Sequence, residues 1–378
     1  RWVLSWKRVE NDAGVQIGQK AKARLIIKGF MDPDLLTLKR ESPTLSTQHR
    51  NLLLSIMAIN KWHASVGDIK TAFLNGDDTE RNRNIGADPP PEVKEMLNMK
   101  PWEVFRILKA VYGLLHAPKV WYDKLAPVLE AQGWVKSKLE PCVFKLYDAA
   151  GKLCGLIGCH VDDLLCAGAG PVYEGKIKEL RSAFPFGSWK NAWEESVSFC
   201  GCELHQERDS TIVLNQERYA CGICEIPISQ ERKRQAADPL TEGEKKQFRA
   251  VLGALSWRGT QSAPWLCASV SYLQGAFATA CVEDLCLLNK MVRLQRQWCE
   301  VPVRFSANIS RPMLVTFCDA SWASRKDGSS QGGQITVLAD ASLLEGGVSQ
   351  FSPVGWQSRK LPRVARSSTS AEVQMCSS

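Results

Sequence analysis

Gly67-Asp68-Ile69-Lys70-Thr71-Ala72-Phe73-Leu74-Asn75-Gly76 and Cys159-His160-Val161-Asp162-Asp163-Leu164-Leu165 are the two stretches on which the reading of this chain turns. Each sets aspartate among apolar residues. A carboxylate in an otherwise buried strand is costly to desolvate, so it persists where something positive, most often a metal ion, neutralises it. Carboxylates holding two divalent ions roughly 3.5–4 Å apart are the shared machinery of polymerases and many nucleases. Phosphoryl transfer on nucleic acid is therefore the first expectation.

Working outward, residues 47–60 carry a Thr N-cap candidate and helical spacing of apolar positions, which predicts a helix before the first motif. Residues 64–73 read as a strand that turns at Asn75-Gly76. Residues 77–91, closed by Pro89-Pro90-Pro91, read as a loop. A helix is expected over 118–132, with Trp121, Leu125, Val128 and Leu129 on one face and Gly133 as its stop. Strands follow at 142–147 and 153–159, and a turn beginning at Val161-Asp162-Asp163 folds the latter into a hairpin with 164–167. At the start of the chain, residues 2–4 and 22–27 read as strands around a polar turn at Asn11-Asp12-Ala13-Gly14. Helices are expected to dominate 242–298, and strands at 313–317, 334–339 and 354–357 form a separate small module.

Composition narrows the class. The chain has 378 residues, 44% hydrophobic and 23% charged, which suits a globular protein of two or three domains. Its longest apolar stretch, 153–170, is interrupted by His160, Asp162 and Asp163, so no membrane partner is expected. Net charge is +8, and residues 1–40 hold nine Lys/Arg against four Asp/Glu, which favours a polyanionic partner. The 14 cysteines sit mostly in apolar runs, the pattern of a reducing intracellular compartment. Cys200-Gly201-Cys202 with Cys221-Gly222-Ile223-Cys224 has the look of a zinc set, but residues 199–204 read as a strand and ordinary apolar cysteines are the better reading. The first residue is Arg1 rather than Met, so a piece of a longer product is expected.

The order of motifs is specific. Lys22-Ala23-Arg24-Leu25, then Asp68 to Gly76, then Lys109-Ala110-Val111-Tyr112-Gly113-Leu114-Leu115-His116-Ala117-Pro118, then Val161-Asp162-Asp163 resembles the reverse transcriptase region of copia-type LTR retrotransposon polyproteins. The likeness continues through Phe248-Arg249-Ala250-Val251-Leu252-Gly253 to Ser367-Ser368-Thr369-Ser370-Ala371-Glu372, nearly the whole chain.

The resemblance implies an α+β right-hand polymerase with fingers, an antiparallel palm sheet and a helical thumb and connection, followed by a partial RNase H-like α/β module. The corresponding divisions are 1–215 for fingers and palm, 216–310 for thumb and connection, and 311–378 for the C-terminally incomplete RNase H-like part. Asp68, Asp162 and Asp163 are then the catalytic carboxylates and ligands of two Mg²⁺ ions, with Mn²⁺ as a substitute. Lys22, Arg24, Phe73, Tyr112 and Gly113 form the nucleotide site, Phe73 excluding a 2′-hydroxyl. Asp319 and Glu372 are two carboxylates of the RNase H-like module, whose third lies beyond Ser378.

The implied partners are an RNA or DNA template-primer, deoxynucleoside triphosphates and other products of the polyprotein, in a cytoplasmic particle or the nucleus. His160 stands where the family has Tyr, and Leu115 and His116 replace its more usual basic residue and Gln. Two other readings compete: an inactive retrotransposon remnant that binds nucleic acid, and an RNase H-type nuclease.

Overall fold

The computed structural model describes residues 1–10, 16–76 and 84–377, and the polar turn expected at Asn11-Asp12-Ala13-Gly14 lies outside them. Helix and sheet are mixed throughout. The chain opens with a two-stranded antiparallel ribbon, β1 (Trp2–Glu10) and β2 (Gln16–Leu25). Helix α1 (Thr47–Ile59) follows, its Ser46 side chain accepting from the His49 N–H, an N-cap one residue earlier than expected. Strand β3 (Ser65–Ile69) leads to a short helix, α2 (Ala72–Asn75).

The expected strand over 64–73 therefore stops four residues early. Thr71 turns left-handed, at φ 50°, and the Asn75 amide donates to the carbonyls of Lys70 and Thr71, closing a helical turn where a strand would continue. Phe73 lies on that turn. Of the expected loop, residues 77–83 lie outside the described part. The rest is not all irregular, since β4 (Ile85–Ala87) precedes α3 (Pro91–Met96) and pairs with β5 (Phe105–Ile107).

Helix α4 (Ala117–Ala131) buries Trp121, Leu125 and Leu129, and the chain leaves it through Gly133 at φ +90°. Then come β6 (Val135–Lys136), β7 (Val143–Tyr147), β8 (Leu153–His160), β9 (Asp163–Gly168), α5 (Pro171–Ala183) and β10 (Phe186–Asn191). The central sheet is antiparallel throughout, in the order β10-β3-β9-β8-β7-β6. Strands β8 and β9 are buried along nearly their whole length, which explains why they read as continuous apolar runs.

A second sheet, in the order β11-β12-β13-β14, uses β11 (Val197–Phe199), β12 (Cys202–Gln206) and β13 (Ile212–Asn215). The single strand expected over 199–204 is instead a hairpin, because Cys200 and Gly201 both take positive φ, 52° and 71°, and reverse the chain. Cys202 is buried, whereas Cys221 and Cys224 are exposed.

Helices α6 (Glu217–Cys221), α7 (Gln230–Arg234), α8 (Glu242–Gln261), α9 (Cys267–Ala276) and α10 (Val282–Gln297) enclose a separate core built on Phe248, Leu255, Leu273, Leu285 and Leu288. The chain then returns through β14 (Val303–Phe305) to pair with β13. A three-stranded sheet of β15 (Pro312–Ser321), β16 (Gln331–Asp340) and β17 (Phe351–Lys360) ends the fold, with α11 (Ser368–Cys376) packed on it. No helix among the described residues is long and apolar enough to cross a membrane.

Candidate active site

Antiparallel pairing brings the two acidic motifs together. Asp68, at the end of β3, is the cross-strand partner of Asp163, the first residue of β9, and Ser188 of β10 is its partner on the other side. His160 at the end of β8 pairs with Asp163 across the hairpin, leaving Val161 and Asp162 as the two turn residues. The turn is held from two sides. The Ile69 N–H donates to the Asp162 carbonyl at 2.9 Å, and the Trp121 indole N–H donates to the Val161 carbonyl at 2.7 Å. Val161 sits at φ +58°, which a β-branched residue adopts only under constraint.

The carboxylates repel one another. Burial, then the charges of Asp162 and Asp68, push Asp163 up to about 7. Burial is also the main cause that raises Asp162, opposed by its own backbone N–H and, more weakly, by Arg24. Burial lowers His160, and the Arg50 charge acts in the same direction. Its Nδ1 is buried without a hydrogen-bond partner among the described residues.

The nucleotide residues expected from sequence are distributed unevenly around this centre. Phe73 and Tyr112 meet edge to face, centroids 5.0 Å apart at 64°. Burial raises Tyr112, with a further push from Asp162 and a smaller one from Asp68 set against Arg24, so its hydroxyl shares a field with all three. Arg24 and Lys22 are exposed on β2 opposite Val3 and Ser5, and the Arg24 charge is felt at Asp162.

Gly113 works through its backbone. At φ +97°, it places its Cα where an added Cβ would lie 2.0 Å from the Ile27 carbonyl oxygen. The N–H groups of Ile27 and Gly29 donate to the Tyr112 and Gly113 carbonyls, which fixes the end of β2 beside Tyr112.

Asp68 and Asp163 open into a cleft of about 300 Å³ shared with Ser188, Lys190, Ser198 and Arg218. Gly187 makes room there, since a Cβ on it would lie 2.7 Å from the Asp68 Oδ2. Neither Gly187 nor Trp121 was legible as part of the site. The pairing that brings β10 to β3 joins residues over a hundred positions apart, and Trp121 reads as one apolar position on a helix.

The C-terminal carboxylates are placed differently. Asp319, on β15, lines a cleft between the last sheet and the residues around Trp265, while Glu372 is exposed on α11. Cys318 and Ala320, the neighbours of Asp319, pack toward α11. By strand alternation Asp319 then points to the other face.

Among the described residues, no three His, Cys, Asp or Glu side chains are disposed to hold one ion together. The Asp68–Asp162–Asp163 centre nevertheless suits a hard divalent cation. Its donors are all carboxylate oxygens, and their mutual repulsion leaves it short of positive charge. Mg²⁺ is usually held by one or two carboxylates, with water and substrate phosphates completing its shell, so a three-carboxylate cage is not required.

The family model described as reverse transcriptase (RNA-dependent DNA polymerase) matches residues 1–227. The retrovirus-related Pol polyproteins from transposons RE1 and RE2 of Arabidopsis thaliana are 26% and 25% identical to 98% of the chain. That from transposon TNT 1-94 of Nicotiana tabacum is 29% identical over 60% of it. The chain spans 24%, 24% and 16% of these three relatives. A prototype foamy virus protease-reverse transcriptase aligns over 98% of this chain and 60% of its own at 10% identity, with a TM-score of 0.27 that carries no weight for the fold. The family match covers more than half of the 378 residues and contains both acidic motifs, so the chain belongs to the reverse transcriptase (RNA-dependent DNA polymerase) family.

Proposed function

We propose that this chain is an RNA-directed DNA polymerase of a copia-type LTR retrotransposon, adding deoxynucleotides to a primer 3′-hydroxyl on an RNA or DNA template. The observation that carries this reading is the meeting of Asp68, Asp162 and Asp163 at adjoining strand ends, beside Tyr112 and Arg24. Asp68 and Asp162 would hold the divalent ions, Mg²⁺ or Mn²⁺, with Asp163 assisting. Bound there, the ions would lower the pKa of the primer hydroxyl and neutralise charge on the transferring phosphate.

The chain's own groups do the rest. Arg24, with Lys22 two residues earlier on the same strand face, offsets the charge of the incoming triphosphate. Phe73, braced edge-on by Tyr112, bars a 2′-hydroxyl. Gly113 keeps the backbone beside Tyr112 close enough to β2 for these side chains to face one nucleotide. The cleft in front of Asp68 and Asp163 receives the primer end, with Lys190 and Arg218 on its walls. Template contact runs mainly through the sugar-phosphate backbone, making binding salt-sensitive and sequence-tolerant.

Residues 1–215 serve as fingers and palm, 216–310 as thumb and connection, and 311–378 as an RNase H-like module. RNase H cleavage is not part of the proposal, because Asp319 lies on the face of its sheet turned away from α11, the helix that carries Glu372. The setting would be an intracellular retrotransposon particle with other products of the same polyprotein. The test is extension of oligo(dT) on poly(rA) with Mg²⁺ and dTTP. Extension by the chain that vanishes in Asp162→Asn, with template binding kept, supports the proposal, and extension surviving in that variant refutes it.

A further inference from the structure

We infer that Trp121 is a positioning residue for this reaction, its indole N–H holding the Val161 carbonyl and thereby keeping the turn that presents Asp162 in its left-handed conformation. The inference rests on Asp162 being one of the polymerase carboxylates. Trp121 lies on α4, is 1% exposed, and donates to a carbonyl 40 residues away at 2.7 Å. Such a bond is not automatic for a buried tryptophan. Trp134, equally buried, has no partner for its Nε1 among the described residues.

The residue it holds is the one that needs holding. Val161 is β-branched and sits at φ +58°, a region that branched side chains avoid. The Trp121 ring is itself fixed edge-on against Phe184, centroids 5.3 Å apart at 76°. Phe184 precedes Pro185, whose carbonyl accepts from the Lys70 N–H, two residues past Asp68. On the far side, the Asp162 carbonyl accepts from the Ile69 N–H. One indole thus joins α4 to the hairpin turn and packs against the segment that anchors the end of β3, so both acidic motifs are referred to a single buried ring. Losing the N–H frees Val161 to relax toward negative φ, which swings Asp162 away from Asp68.

The experiment is a double-mutant cycle over Trp121→Phe and Val161→Gly. It reads single-nucleotide incorporation, together with hydrogen exchange of the segment containing the Ile69 amide. Glycine adopts positive φ freely, so it removes the need for the hold. Trp121→Phe alone should lower kcat about tenfold or more, leave KM for the deoxynucleotide nearly unchanged, and speed exchange at Ile69. In the Val161→Gly background the same substitution should cost no more than about twofold.

An equal loss in both backgrounds would assign Trp121 to packing alone and overturn the inference. If the parent protein incorporates no nucleotide, the polymerase reading falls, yet the exchange cycle still decides the link between Trp121 and the turn. Faster exchange in Trp121→Phe that Val161→Gly suppresses would uphold it, and identical exchange in all four proteins would refute it. Should Trp121→Phe fail to fold, benzothienylalanine at position 121, which keeps the ring shape and replaces the N–H by sulfur, gives the same comparison.

Discussion

A single methyl group at Gly113 would collide with the Ile27 carbonyl oxygen, 2.0 Å from the ideal Cβ position, in a backbone already at φ +97°. Gly113→Ala should therefore destabilise the protein by about 2 kcal/mol or more, read as a lowered urea midpoint. It should also raise KM for the deoxynucleotide, because the contact it breaks seats Tyr112. An unchanged midpoint would show that the two segments do not need their close approach. This glycine stood out in the sequence because a Tyr-Gly pair opened a recognisable motif. Gly187 did not, although its missing Cβ leaves room for the Asp68 carboxylate. Its importance comes from the neighbour across β10 and β3, which no local pattern reports.

Elements were legible where one periodicity ran without interruption. Helix α4 and the β8–β9 hairpin fall within a residue or two of their expected bounds, since a repeating apolar face and an apolar run around a turn are local signals. Strand β3 was read too long. Ile69, Thr71 and Phe73 continue a strand-like alternation, but the Asn75 amide captures two carbonyls and turns the chain into α2. The hairpin at Cys200-Gly201 is not legible because a two-residue reversal leaves little trace in a six-residue stretch whose residues, Glu203 apart, are apolar or glycine.

Helix α8 offers a test at this scale. Thr241 and Glu244 form a reciprocal capping box, and Arg232 of α7 donates to both Glu244 oxygens. Arg232, with the Thr241 groups, holds Glu244 at about 2, below its ordinary 4.5. A carboxylate with a depressed folded value stabilises the fold above the unfolded value, and that contribution is lost as pH falls toward 2. Glu244→Gln should cost about 1 kcal/mol at pH 7, allowing for solvent screening. The gap between variant and parent should close as pH drops from about 4.5 toward 2. A pH-independent gap would remove the ion pair from the account.

At the scale of the molecule, one buried arginine joins three regions. Arg50 of α1 is 1% exposed and donates to Asn51, to Cys202 of β12, and to the side chain and carbonyl of Gln261 at the end of α8. Asn51 donates in turn to the Val354 carbonyl of β17. Arg50→Met would leave those acceptors buried and unpaired, so unfolding should become easier by about 2–4 kcal/mol. The calorimetric transition should also broaden as the helical region parts from the sheets. A sharp transition at the parent temperature would show that the junction does not depend on this residue. None of this was readable from sequence, where Arg50 is one charge near a helix start.

What sequence did convey was the pairing of two acidic motifs, and the most direct test of the account lies there. Incorporation of dTTP on poly(rA)/oligo(dT) would be measured for the parent, Asp68→Asn, Asp162→Asn and Glu345→Gln, the last altering an exposed acid paired with Arg311. Incorporation by the parent and by Glu345→Gln, with loss of at least about 100-fold in both aspartate variants, is the expected result. Comparable incorporation by Asp68→Asn or Asp162→Asn and the parent would contradict the claim that these strand ends form the polymerase centre.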